Sequence, residues 1–159
     1  LVGSEMCIRD RYTEMEDVSV DEILDELLPD LMDIYEHKQV RLIRKREEQP
    51  FIIRCNHSLA QILVSNLVKN SLLHNREGGE LQVFTTPASL VIRNTGDAPL
   101  DGEKLFRRFY HGMDGKKDST GLGLAIARSI ALSSSLKLTY EWQDGMHTFR
   151  LVKESKIYC

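Results

Sequence analysis

The amino-acid sequence predicts an α+β fold, one mixed β-sheet with its helices packed on a single face. Three features of the 159-residue chain carry this prediction. Runs of alternating apolar and polar residues recur along it, as half-buried strands require. Between them stand stretches with apolar residues three and four apart, the period of helices with one buried face. No internal repeat, low-complexity tract or long linker separates the two kinds of segment, so one domain is the economical organisation.

Taken in order, residues 1–11, LVGSEMCIRDR, hold neither period. They resemble the translation of sequencing-adaptor DNA at the broken end of an assembled gene and are set apart from a domain over 12–159, with an unrecognised arm as the alternative. Val18-Ser19-Val20 alternates like a short strand, and Asp21 stands in a capping position before a helix over 22–38. Ile23, Leu24, Leu27, Leu28, Leu31 and Ile34 form its apolar face, and Pro29 is a candidate kink. VRLIRKR at 40–46 alternates, 47–50 makes a turn and 51–54 is a second short strand, which together predict a hairpin. A helix follows over 59–75. Glu77-Gly78-Gly79 is a turn, and 80–85 and 89–93 read as strands joined at Pro87. NTGDAPLDG at 94–102 is a loop, 103–110 a short helix and 111–120 a loop of turn-forming composition. A helix over 121–132 and strands at 136–142 and 147–152 close the chain.

Composition removes several classes of function. The 42% hydrophobic and 28% charged content is that of a globular protein. A net charge of −3 offers no basic footprint for nucleic acid or an anionic membrane. No apolar run approaches the roughly 20 residues of a membrane span. Cys7, Cys55 and Cys159 share no metal-ligand spacing, and the five His are dispersed, so neither a disulfide framework nor a zinc site is indicated.

Two stretches depart from this bland composition. In LAQILVSNLVKNSLLHN, 59–75, helical winding places Asn66, Asn70 and His74 four apart on one stripe, with Leu59, Ile62, Leu63, Leu67 and Leu73 on the same side. An amide buried without a partner costs roughly 1–3 kcal/mol, so three polar groups in a core face need a counterpart. They are either the floor of a site, with amide oxygens toward a metal and an imidazole toward an anion, or amides tied to neighbouring backbone on a surface helix. The second stretch, STGLGLAI at 119–126, puts two glycines at the start of an apolar helix. Free N–H groups there, with no Cβ at Gly121 and Gly123, would cradle phosphate oxygens. Close helix packing is the commoner reason for such glycines. The spacing fits neither a Walker loop nor a dinucleotide fingerprint.

The Asn/Asn/His stripe, NTG after a strand, LFRRFYHG and STGLGLAI, in that order, resemble the ATP-binding catalytic domain of sensor histidine kinases, within the class that also holds gyrase, heat-shock chaperones and mismatch-repair ATPases. The resemblance spans residues 18–152. It implies a Bergerat-type two-layer α/β sandwich with a mixed sheet of about five strands, and ATP and Mg²⁺ as ligands. NLVKNSLLHN matches the N box, which implies Asn70 as the Mg²⁺ ligand and His74 near the phosphates. Asn66 stands where gyrase-like relatives carry a water-activating Glu. An amide is no base at neutral pH, and a histidine nucleophile needs none, so the resemblance at Asn66 favours a kinase over a hydrolase. VIRNTGDAPL matches the first glycine box, with Asn94 in place of the adenine-reading Asp, Gly96 retained and Ala98 near a missing glycine. LFRRFYHG resembles the F box, in which Phe106 and Phe109 anchor the lid. The second glycine box implies Thr120, Gly121, Leu122 and Gly123 at the phosphates, approached by Lys116 and Lys117 of the lid. GMHTFRL resembles the closing GTTFTL strand, which implies Thr148 near the adenine. Ser133, Ser134 and Ser135 replace glycines expected before the penultimate strand.

No SHExxxP-type phosphoacceptor occurs, and His37 and His57 have the wrong neighbours for one. The resemblance therefore implies the catalytic part of a sensor kinase, giving the γ-phosphoryl of ATP to a histidine on a dimerisation domain outside this chain. From there a response-regulator receiver would take it. It also implies a cytoplasmic domain of a parent anchored in the bacterial inner membrane. Two other readings stay open: a stand-alone serine kinase of the anti-sigma-factor type, and a nucleotide-sensing pseudokinase.

Overall fold

The computed structural model describes residues 14–107 and 122–154. Strand β1 (Glu16–Ser19) runs directly into helix α1 (Val20–Ile34), which a short 3-10 turn, Glu36–Lys38, follows. Then come β2 (Arg41–Arg46), β3 (Ile52–Cys55), α2 (His57–Leu73), β4 (Glu80–Thr86), β5 (Ser89–Thr95), α3 (Gly123–Ser133), β6 (Leu136–Gln143) and β7 (Met146–Lys153). The main sheet has the order β2-β4-β5-β7-β6, with β2 parallel to β4 and the other neighbours antiparallel. A separate ribbon pairs β1 with β3.

Alternation does what it should. β4 buries Leu81, Val83 and Thr85, and β5 buries Leu90, Ile92 and Asn94, every second residue in each. On that face α2 packs against β5 and α3 against β6, while α1 packs on α2. One apolar cluster runs from Val18 of β1 to Leu151 of β7. The mixed five-stranded sheet with helices on one face is therefore the observed architecture.

Five local expectations are corrected. The predicted hairpin of 40–46 with 51–54 does not form: β2 pairs in parallel with β4, and β3 antiparallel with β1. Asp21 explains why. Instead of capping the helix it is buried, accepting from the Phe51 amide at 2.7 Å and the Thr85 hydroxyl at 2.5 Å, so it ties the start of α1 to the chain entering β3 and to β4. Ser19 is the cap, accepting from the Glu22 amide at 3.2 Å. Helix α1 passes Pro29 and stops at Ile34, which is exposed. Residues 103–107 form turns rather than a helix, and 108–110 lie outside the described residues. Finally, the buried row of α2 is Ala60, Leu63, Val64, Leu67, Val68, Ser71 and Leu72. Asn66, Asn70 and His74 are half-buried along its edge, not within it, and Ile62 is exposed.

Candidate functional site

The polar stripe of α2 faces the start of α3. Asn56 caps α2 at one end by accepting from the Leu59 amide at 3.1 Å, and His74 is the C-cap residue at the other, its amide donating to Asn70 O at 3.1 Å. Midway, Asn66 Nδ2 donates to the carbonyl of Gly123 at 3.2 Å. That contact joins the first anomalous stretch of the sequence to the second. Asn70 follows one turn later on the same stripe, with its half-buried amide on the side that Asn66 turns to α3. Ser71, facing the core, satisfies its hydroxyl on Leu67 O at 3.0 Å.

Helix α3 opens at Leu122 with no side-chain cap, so its first N–H groups lack that partner. A Cβ added to Gly123 would meet no atom of the described residues within 4 Å. Among the described residues close packing does not account for this glycine, and a helix N-terminus suits an anion. Phe109, Lys116, Lys117, Thr120 and Gly121 lie outside the described residues, as do residues 1–11.

A second group forms where β5, β6 and β7 meet the same helices. Leu81, Asn94, His147 and Trp142 are cross-strand partners in one row, on the face that carries the core. Asn94 is buried, and its Nδ2 donates to Thr95 O at 3.1 Å, which turns Oδ1 to the remaining side. His147 packs against Trp142, ring centroids 4.9 Å apart, and its Nδ1 pairs with Tyr140 Oη at 2.9 Å. The same hydroxyl accepts from the Leu100 amide at 2.9 Å, and Gly96 N donates to Gly145 O at 3.2 Å, so the segment after β5 is fastened to the β6–β7 hairpin. Gly96 is obligatory here, because a Cβ on it would lie 2.2 Å from His147 Nε2. Phe106 meets Phe149 edge to face at 6.4 Å.

Thr148 does not join this group. It pairs with Arg93 on the opposite face of the sheet, its hydroxyl accepting from Arg93 Nε at 3.2 Å, whereas His147 is the residue of β7 that lies opposite Asn94. The period of two contained that answer: Phe149 and Leu151 point to the core, and 147 shares their side.

The two groups are close in the chain's geometry. Asn75, just past α2, donates from Nδ2 to Glu80 O at 3.0 Å, and the Glu80 amide donates to Thr95 Oγ1 at 2.9 Å, beside Asn94. Hydrogen bonds from Gln82 and Arg41 hold the Glu80 carboxyl below the ordinary glutamate range. Asn70 presents a half-buried amide, a hard oxygen donor that fits a cation such as Mg²⁺ whose remaining ligands come from nucleotide and water.

Residues 55–154 match the family model described as histidine kinase-, DNA gyrase B- and HSP90-like ATPase. The chain is 36% identical over 95 residues to the sensor histidine kinase RppB of Synechocystis sp., covering 54% of this chain and 21% of that protein. It is 27% identical over 133 residues to the sensor-like histidine kinase SenX3 of Mycobacterium tuberculosis, covering 77% and 32%. It thus spans a fifth to a third of the length of these relatives. Among solved structures, the catalytic domain of the histidine kinase ThkA superposes with a TM-score of 0.77 at 18% identity, over 89% of this chain and 97% of that one. ThkA in complex with the response regulator TrrA superposes with a TM-score of 0.71 at 15% identity, over 89% of this chain and 42% of that one.

Proposed function

Since this chain belongs to the histidine kinase-, DNA gyrase B- and HSP90-like ATPase family, we propose that it is the ATP-binding catalytic unit of a two-component sensor histidine kinase. It would transfer the γ-phosphoryl of ATP to a histidine on a helical dimerisation domain, from which a response-regulator receiver takes it. The Asn66–Gly123 contact carries the reading, because it sets a stripe of metal- and phosphate-compatible side chains against an uncapped helix start.

Each residue then has a chemical task. Asn94 accepts from the exocyclic amine of adenine through Oδ1, and Gly96 lets the His147 imidazole close up beside it. The first N–H groups of α3, at Leu122 and Gly123, receive phosphate oxygens, and the resemblance adds Thr120, Gly121, Lys116, Lys117 and Phe109 to the nucleotide contacts. His74 stands at the phosphate end of α2, and Asn70 would hold Mg²⁺. When bound, that ion supplies charge neutralisation at the phosphates. Asn66 braces α2 against α3 and has no lone pair basic enough to activate water, which favours transfer to an imidazole over hydrolysis. A site on the cytoplasmic side of the membrane follows from the use of ATP. No helix among the described residues is long and apolar enough to cross a membrane.

The test is to incubate the chain with Mg²⁺ and γ-labelled ATP and the histidine-bearing dimerisation domain of a sensor kinase that it resembles. Acid-labile, alkali-stable label on histidine is the expected product. Acid-stable phosphoserine would move the protein to the anti-sigma-factor type, and failure to bind ADP at all in calorimetry would leave a degenerate module.

A further inference from the structure

The last four carbonyls of a helix have no partner inside it, and the C-terminus carries the negative end of the helix dipole. At the end of α2 those carbonyls face a lysine 34 residues upstream. Lys38 Nζ donates to Leu72 O at 3.0 Å, to Asn75 O at 3.1 Å and also to Leu73 O. Three ammonium donors meet three main-chain acceptors. The backbone around Lys38 is fixed to the same turn: Gly78 N donates to Lys38 O at 2.8 Å, and Arg41 N to Gly79 O at 2.9 Å. The half-buried side chain therefore lies in a place built for it.

From this clasp we infer that Lys38 is the positioning residue for the phosphate and metal end of the site, an inference that rests on the nucleotide reading above. Helix α2 is held at two points by different means. Asn66 pins its middle to Gly123, and Lys38 gathers the turn that follows Asn70, the turn that carries His74. Without the ammonium, the carbonyls of Leu72, Leu73 and Asn75 are left to water and the last turn frays back toward Asn70. The base end, built on β5, β6 and β7, is fixed by its own strand ladder and meets this turn at one remove, through Asn75, Glu80 and Thr95, so it is disturbed less. Loss of Lys38 thus separates the two halves of a nucleotide: binding that depends on phosphates and Mg²⁺ falls, and binding of the base does not.

Calorimetric titration of the whole chain with adenosine, with ADP and with ADP plus Mg²⁺ reads this out for wild type, K38M and K38R. For K38M the affinity for ADP with Mg²⁺ should fall about tenfold, the size of one charge-assisted hydrogen bond, with adenosine within twofold of wild type, and K38R should regain most of the loss. Should K38M not fold, K38Q, which keeps donors without the charge, carries the same comparison. Equal losses for adenosine and ADP, or none, overturn the positioning role. A wild-type chain that binds none of the three ligands overturns the nucleotide reading first and this inference with it.

Discussion

The proposed base end and phosphate end of the site are made of different materials. Asn94, Gly96, His147 and Tyr140 sit on neighbouring strands whose ladder bonds already fix their spacing, and each touches another member of the group. Asn66, Asn70 and His74 ride on one helix, and their position depends on where that helix is tethered, at Gly123 and at its C-terminal carbonyls. A strand-built site resists displacement because a change at one residue must move its cross-strand partners. A helix-borne site is adjustable, since a single tether resets a whole stripe. Under the proposed function the division is apt: the base would be an anchor, and the phosphates would be presented to a second domain.

The sharpest way to break the comparison is to strike the base end where it is densest. G96A would put a methyl group 2.2 Å from His147 Nε2, and His147 is held by Tyr140 and cannot retreat freely. Adenosine affinity should drop about a hundredfold, equivalent to roughly 3 kcal/mol of overpacking, as read by calorimetry. Wild-type affinity in G96A would mean that the group is slack. The matching change at the other end is smaller: in N70A, ADP binding with Mg²⁺ should weaken about tenfold and ADP binding in EDTA should stay as it was, because only an ion ligand is lost. A loss of equal size in EDTA would instead make Asn70 a structural residue of α2.

How far the sequence anticipated this site follows the same division. Helix α2 and the glycine start of α3 were legible because local period and glycine placement specify them. So were strands β4, β5, β6 and β7 themselves, which alternate and which the structure pairs as two hairpins. The pairings of β1 with β3 and of β2 with β4 were not, since alternation tells which way a side chain faces and nothing about which distant strand lies alongside. The deciding residue, Asp21, was read as a cap because its type suits one; only its burial against the Phe51 amide and Thr85 reveals the other use. Lys38 was invisible for a related reason: its partners are main-chain carbonyls, which every residue has.

Thr148 offers the finest discrimination, because the resemblance and the register assign it to opposite faces of the sheet. Its hydroxyl accepts from Arg93 Nε, one member of a cross-strand row in which Arg93 also donates to Gln82 Oε1 at 3.3 Å. T148V keeps the shape and β propensity and removes only that acceptor. Stability should fall by about 0.5–1 kcal/mol in a denaturant melt, the net worth of one partly solvated hydrogen bond, while adenosine affinity stays within twofold. A base-contacting hydroxyl would give the reverse, unchanged stability and a tenfold loss of binding, and that outcome would return Thr148 to the site and displace His147 from it. The period of two makes the reverse outcome unavailable without a shift of β7 by one residue, which would also turn Phe149 and Leu151 out of the core.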